Sequence, residues 1–427
     1  MRSATFAVGI LVTIIAIASC CIPITRSLSS YTSEVLDSTY IMVGGQNGTW
    51  FKLEQAPRLE RIDLDNDSVT RLTPVPTQGT VWGGGWNGSE WLISGWGEDY
   101  GPNGSNPYIF LYNGVSQVIG GSLDQYQAET TWHGGDIFAA SANGDDWLLS
   151  GLGSGNLTGY GHINHMSLSL FDGTHFTDLS SSIPSQRDAI LYANVWNGEY
   201  WLVGGGYRDS GVLFSFNGRK ITDLTSAIAE AVSTFGSVQS IGWNGYYWLI
   251  GGEDFLASYD GHRVIDLTPE LNTALTESSG CCSSVNAIVW NDGEWILGGG
   301  VPIAQTDYSN AWLVKYSTGG FTDLTPEISS TAANVIQDSS ILSIAAAGGS
   351  LIIGGYLNGE GILYQYQGGA FTNLSHLVSN FTYVNWVGAH AFHRRRPGLA
   401  KPVGINQTSS NMFLLLSSDD SIRLSPD

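Results

Sequence analysis

Residues 243–271 read WNGYYWLIGGEDFLASYDGHRVIDLTPEL, and nearly the same phrase stands 47 positions earlier as WNGEYWLVGGGYRDSGVLFSFNGRKITDLTSAI. It returns 47 positions later as WNDGEWILGGG, closing on FTDLTPEI. Within one copy, VQSIGW alternates and runs into Asn244-Gly245, the dipeptide favoured in type I′ hairpin turns, where both central residues take positive φ. YYWLIG reads as a second strand closed by Gly251-Gly252, FLASYDG as a third, and RVIDLT as a fourth beyond the turn Asp260-Gly261. Each copy therefore encodes four short antiparallel strands.

The fourth strand ends at Leu72-Thr73, near Ile119, and then at Leu179-Ser180, Leu224-Thr225, Leu267-Thr268, Leu324-Thr325, Leu374-Ser375 and Leu424-Ser425. The spacing of these endings, about 43 to 60 residues, is that of propeller blades. First-turn signals recur at Asn87-Gly88, Asn143-Gly144, Asn197-Gly198 and Asn291-Asp292-Gly293, with Gly348-Gly349 in unit seven. A small sheet cannot bury both faces alone, but sheets stacked around an axis bury each other's. The fold expected is all-β, a β-propeller of four-stranded antiparallel blades. Eight blades are favoured; seven result if the N-terminal piece completes the C-terminal blade by strand exchange.

An apolar strand ending in Gly-Gly, followed by a strand carrying Tyr or Phe, resembles the kelch repeat: WLVGG to Phe216, WLIGG to Tyr259, WILGG to Tyr316 and LIIGG to Tyr364. The resemblance covers units four to seven, about half the chain. It implies a propeller with a binding surface and carries no single activity.

Composition agrees with this reading. The 427 residues include 55 Gly and 15 Trp, and only 13% are charged, against roughly 25% in a typical soluble domain. Net charge is −21. A nucleic-acid partner is excluded, because a duplex binder needs a basic footprint and the one basic cluster is Arg394, Arg395 and Arg396.

Residues 1–27 differ from the rest: no charge stands between Arg2 and Arg26, and the stretch is almost wholly apolar or small. They read as a signal peptide cleaved near Ala18, or as an N-terminal membrane anchor, since about 20 apolar residues span a ~30 Å hydrocarbon core. Either reading sends residues 28–427, the propeller, outside the cell and confines membrane contact to the N-terminal segment. Sequons at Asn47, Asn66, Asn87, Asn103, Asn156, Asn373, Asn380 and Asn406 agree with export and with N-glycosylation.

Length variation falls mainly in the loops joining second and third strands, which a propeller gathers on one face; loops on a rigid scaffold usually carry function. These loops set aromatic rings beside polar groups: Trp96 with Asp99 and Tyr100, Tyr160 with His162, Tyr207 with Arg208 and Asp209, Asp307 with Tyr308, and Tyr356 with Glu360. Rings next to carboxylates and amides suit a sugar, which offers flat C–H faces and hydroxyls. His162 with His165, and His390 with His393, have a spacing that metal ligands use, yet a stable site needs three or four converging ligands, so no metal site is assigned. The acidic rim would suit calcium better, although no loop shows an organised calcium pattern. Cys281-Cys282, in the linker between units five and six, form either an adjacent-pair disulfide or two free thiols. Thr268-Pro269-Glu270 and Thr325-Pro326-Glu327 read as helix starts capped by Thr.

Three functions fit these features. The first is an exported, non-catalytic propeller binding glycans or surface proteins. The second is a secreted polysaccharide hydrolase or lyase using rim carboxylates such as Asp99 and Asp307. The third is a self-assembling envelope component.

Overall fold

The structure, a computed structural model, describes residues 40–48, 56–73, 78–97, 106–113, 116–117, 129–130, 135–154, 164–184, 189–207, 210–275, 284–302, 309–331, 338–347 and 349–390. Seven four-stranded antiparallel sheets form. Numbered to match the sequence units, blade 2 begins on its inner strand Gly79–Trp86, blade 3 on Gly135–Ala142, blade 4 on Ile190–Trp196 and blade 5 on Val238–Trp243. Blade 6 begins on Ser284–Asn291 and blade 7 on Ser339–Ala347.

Blade 1 is built from both ends of the described chain. Its inner strand is Tyr383–His390, and Tyr40–Asn47, Ala56–Asp63 and Ser68–Arg71 follow outward. Tyr40 pairs with His390 and Val43 with Val387, so the exchange of strands closes the ring. The count of eight is thereby corrected to seven. The strand that would have opened an eighth unit is the one that completes the first, and the ending at Leu424-Ser425 lies outside the described residues.

The inner strands of successive blades lie against one another all the way round, from blade 1 through blade 7 and back to blade 1. The apolar core is correspondingly divided into seven wedges, one at each junction between blades. Between blades 4 and 5, for example, Leu202, Leu213 and Ile228 meet Val238, Trp248 and Phe255. Trp147, Trp201, Trp248 and Trp295, each within the first two residues of a second strand, are fully buried in this way. Burial of one such large side chain contributes about 1.5–3 kcal/mol, which no isolated sheet could obtain.

The Gly-Gly phrase has two separate causes. A Cβ on the first glycine of the pair would press into the next blade: at Gly204 it would lie 2.4 Å from Val238 Cγ1. The second glycine faces a bulge. In every blade the register between inner and second strand slips by one residue near the start of the inner strand. The slip drives a carbonyl onto the second strand, so that a Cβ on Gly205 would lie 1.9 Å from Ile190 O. Blades 2 and 3 carry Ser94 and Ser150 at the first position but keep Gly95 and Gly151 at the second.

The Asp-Leu-Thr ending is a clamp. In blade 4, Leu224 N donates to Leu213 O at 2.9 Å, Leu213 N donates to Thr225 Oγ1 at 3.1 Å, and Thr225 N donates to Asp223 Oδ1 at 2.9 Å. The arrangement recurs with Asp266-Leu267-Thr268, Asp323-Leu324-Thr325 and Asn373-Leu374-Ser375. Thr268 and Thr325 are thus not helix caps as expected, because their hydroxyls are turned to the third strand.

The Asn-Gly turns also depart from expectation. Gly245 takes φ +94, but Asn244 is not among the residues with positive φ, so the turn is not type I′. Asn244 Oδ1 instead accepts the amides of Tyr246 and Tyr247, holding a longer loop closed. The sequence Asn291-Asp292-Gly293-Glu294 does form the two-residue turn, with φ +49 and +90 at its centre.

Candidate functional site

The second-to-third-strand loops and the inner-strand starts lie at the same end of each blade, since Ile190 pairs with Gly206 and Tyr207 with Ser210. Two residues in from that face sits the bulge. It turns one side chain per blade toward the axis: Asn385, Trp82, Phe138, Tyr192, Gln239, Asn286 and Leu342. All seven line one axial cavity of about 290 Å3.

This ring is uneven. Trp82, Phe138 and Tyr192 form an aromatic arc over blades 2 to 4, with centroids 5.3 Å apart for the first pair and 5.2 Å for the second. Amides stand opposite. Asn286 Nδ2 donates to Ser340 Oγ and Ile341 O, and Asn385 Nδ2 donates to Val81 O, so both tie their blades to the next. Gln239 lines the cavity, and its amide has no hydrogen bond to the described residues. Burial pushes the Tyr192 phenol up to about 12, with the charges of Glu253 and Asp136 adding to the shift, so this ring stays neutral and able to donate.

Of the rim residues expected from sequence, Trp96, Tyr207, Tyr356 and Glu360 are described. Trp96 and Tyr356 hold the same register, opposite Thr80 and Ser340. Tyr207 ends the second strand of blade 4 and is 41% exposed, and Glu360 is exposed at the start of the third strand of blade 7. Tyr356 and Glu360 share blade 7, whereas Trp96 and Tyr207 stand on blades 2 and 4. Asp99, Tyr100, Tyr160, His162, Arg208, Asp209, Asp307 and Tyr308 lie outside the described residues, as do Cys281 and Cys282.

Tyr356 gathers chemistry around it. Its hydroxyl lies 3.2 Å from Ser309 Oγ, which itself donates to Ser339 O, and its ring meets Tyr383 edge-on at 4.8 Å. Asp338 completes the group. Burial raises its carboxyl above the usual range, against a hydrogen bond from the Ser309 amide, and burial likewise raises Tyr356 and Tyr383. Sequence reasoning missed Asp338, Tyr383 and the whole bulge ring.

The sequon residues Asn47, Asn66, Asn373 and Asn380 are exposed, and Asn87 is half-buried with its Oδ1 accepting from Ser89 and Glu90. Asn103, Asn156 and Asn406 lie outside the described residues, as do residues 1–27, His393 and Arg394 to Arg396. Among the described residues no group of three or more His, Cys, Asp or Glu could hold a metal, and no helix is long and apolar enough to cross a membrane.

No family model and no curated protein matches the chain. Solved structures do. The Pyrococcus horikoshii acylaminoacyl peptidase aligns at 11% identity over 79% of this chain and 52% of its own, with a TM-score of 0.45, so the match spans about half of that enzyme. The β-propeller domain of the trilobed protease from Pyrococcus furiosus aligns at 11% identity over 79% of this chain and 98% of its own, with a TM-score of 0.43. YCF48 bound to D1 peptide aligns at 9% identity over 70% of this chain and 84% of its own, with a TM-score of 0.42. Likenesses this distant carry no argument; the ring of four-stranded sheets itself makes the chain a β-propeller, and the kelch-like resemblance stands no finer than that.

Proposed function

We propose that this chain is an exported, non-catalytic propeller that binds glycans or partner proteins of the cell surface through its loop face. The observation that carries the reading is the uneven ring at that face, an aromatic arc opposite amides at the mouth of a preformed cavity. Concave sites with apolar walls and a few polar groups are where small ligands bind. Export rests on the apolar leader and on sequons at exposed positions such as Asn66 and Asn380. The leader acts as signal or anchor, and the propeller stands in the extracellular medium. The test is binding of the full chain to a glycan array and to surface-protein extracts, with Tyr207→Ala and Tyr356→Ala as loop-face variants. Retained ligand with no released product, weakened by these changes, supports the reading; binding indifferent to them defeats it.

One observation favours the hydrolase alternative enough to test it beside the first. Asp338, with its carboxyl raised by burial next to two phenols, has the character of a general acid. A glycosidase needs a second carboxylate about 5–9.5 Å away, which Asp307 would have to supply. Release of reducing ends from a polysaccharide panel, abolished by Asp338→Asn, would replace the first reading with this one.

A further inference from the structure

We propose that the axial cavity is a subsite for one uncharged sugar ring, with its C–H face on the arc of Trp82, Phe138 and Tyr192 and its hydroxyls toward Gln239. This rests on the reading that the loop face binds glycans, and it names the part of a glycan that enters. In a chain of net charge −21, no charged side chain among the described residues lines this cavity. A charged group entering it would lose water and find no opposite charge among them. Anions are further disfavoured because Asp136 and Glu253 act through their charge on the Tyr192 hydroxyl. A quaternary ammonium group would need ring faces around it. Here the rings lean on one another along a single wall, tilted by 40° and 63°, and the facing wall offers amides. A pyranose has the matching two-sided character: one apolar face that stacks, and hydroxyls that both donate to and accept from a primary amide. The cavity, about 290 Å3, lies at the lower edge of the roughly 300–1,000 Å3 of small-molecule sites, so it admits one ring and leaves the remaining glycan on the loop face.

Gln239 makes the test clean. Its amide holds no described partner, so Gln239→Leu alters the cavity without breaking a hydrogen bond of the fold. The full chain is titrated calorimetrically and by tryptophan fluorescence with neutral hexoses and their short oligomers, with glucuronate and with choline. The expected result is saturable binding of at least one neutral sugar, weakened at least tenfold by Gln239→Leu and by Phe138→Leu at unchanged circular dichroism. Trp82→Phe should keep the affinity while reducing the fluorescence response. Binding of glucuronate or choline alone overturns the proposal, as does neutral-sugar affinity that survives both cavity substitutions. If array glycans bind with full affinity to Gln239→Leu, this subsite falls while the loop-face reading stands; if no glycan binds anywhere, both fall.

Discussion

The phenol of Tyr200 in blade 4 accepts the indole N–H of Trp248 in blade 5 at 3.1 Å, and Tyr247 in blade 5 does the same for Trp295 in blade 6 at 2.8 Å. At these two junctions the tyrosine before a buried tryptophan thus serves the tryptophan of the following blade. Tyr200→Phe should leave a buried donor unpaired, at a cost of about 1–3 kcal/mol read by denaturant titration.

The same relation predicts a gain. Trp201 Nε1 is buried with no hydrogen-bond partner, and the residue placed to serve it, before Trp147, is Asp146. Asp146→Tyr should raise stability by about 0.5–1.5 kcal/mol, the net contribution of one hydrogen bond. No gain would mean that the blade 3 to blade 4 junction does not repeat the geometry of the next two.

Gly205→Ala tests the bulge. The added carbon would meet Ile190 O at 1.9 Å, and backbone cannot rotate away as a side chain can. A loss of about 1–3 kcal/mol is expected, with the largest local rise in amide exchange in blade 4.

Acid should weaken two outer turns. Backbone N–H bonds from His175 and Thr174 hold Asp172 below the ordinary carboxyl range, and those from Arg263 and His262 do the same for Asp260. A carboxyl depressed in the folded state adds stability that is fully present above its unfolded pKa, about 3.9, and is lost as pH falls through the folded value. Asp260→Asn keeps the acceptor without the proton, as Asn217 does in blade 4. That variant should show a shallower decline in stability below pH 4 than the parent, with little change at neutral pH.

The repeat made the blade readable because four elements recur at fixed offsets: the first turn, the buried Trp, the Gly pair and the Asp-Leu-Thr ending. Each answers a constraint that every junction imposes, as with Gly205 against Ile190 O or Thr225 against Leu213. The blade count was harder, because Tyr383–His390 looks like the start of a new unit until its pairing with Tyr40–Asn47 is known. Long-range pairing leaves no local mark. The axial ring was hidden for a related reason. A bulge shifts which side chain faces inward by one position, so Tyr192 and Gln239 stand where simple alternation would misplace them. The invariant second glycine was the available signal: from Gly45 in blade 1 to Gly355 in blade 7, a Cβ there would meet the carbonyl two residues ahead of the bulged residue. Tyr356 was found at the rim, whereas Asp338 and Tyr383 reach it only through the packing of blades 7 and 1.

Closure of seven blades by strands from opposite ends of the chain underlies every other statement, and cysteine crosslinking between Val43 and Val387 tests it most directly. These residues pair across the exchange, and both side chains belong to the same apolar wedge. Val43→Cys with Val387→Cys should give, on oxidation of the monomer, an intramolecular disulfide between the two peptides, mapped by mass spectrometry, with a raised Tm. A bond found only between molecules, or none at all, would contradict the ring.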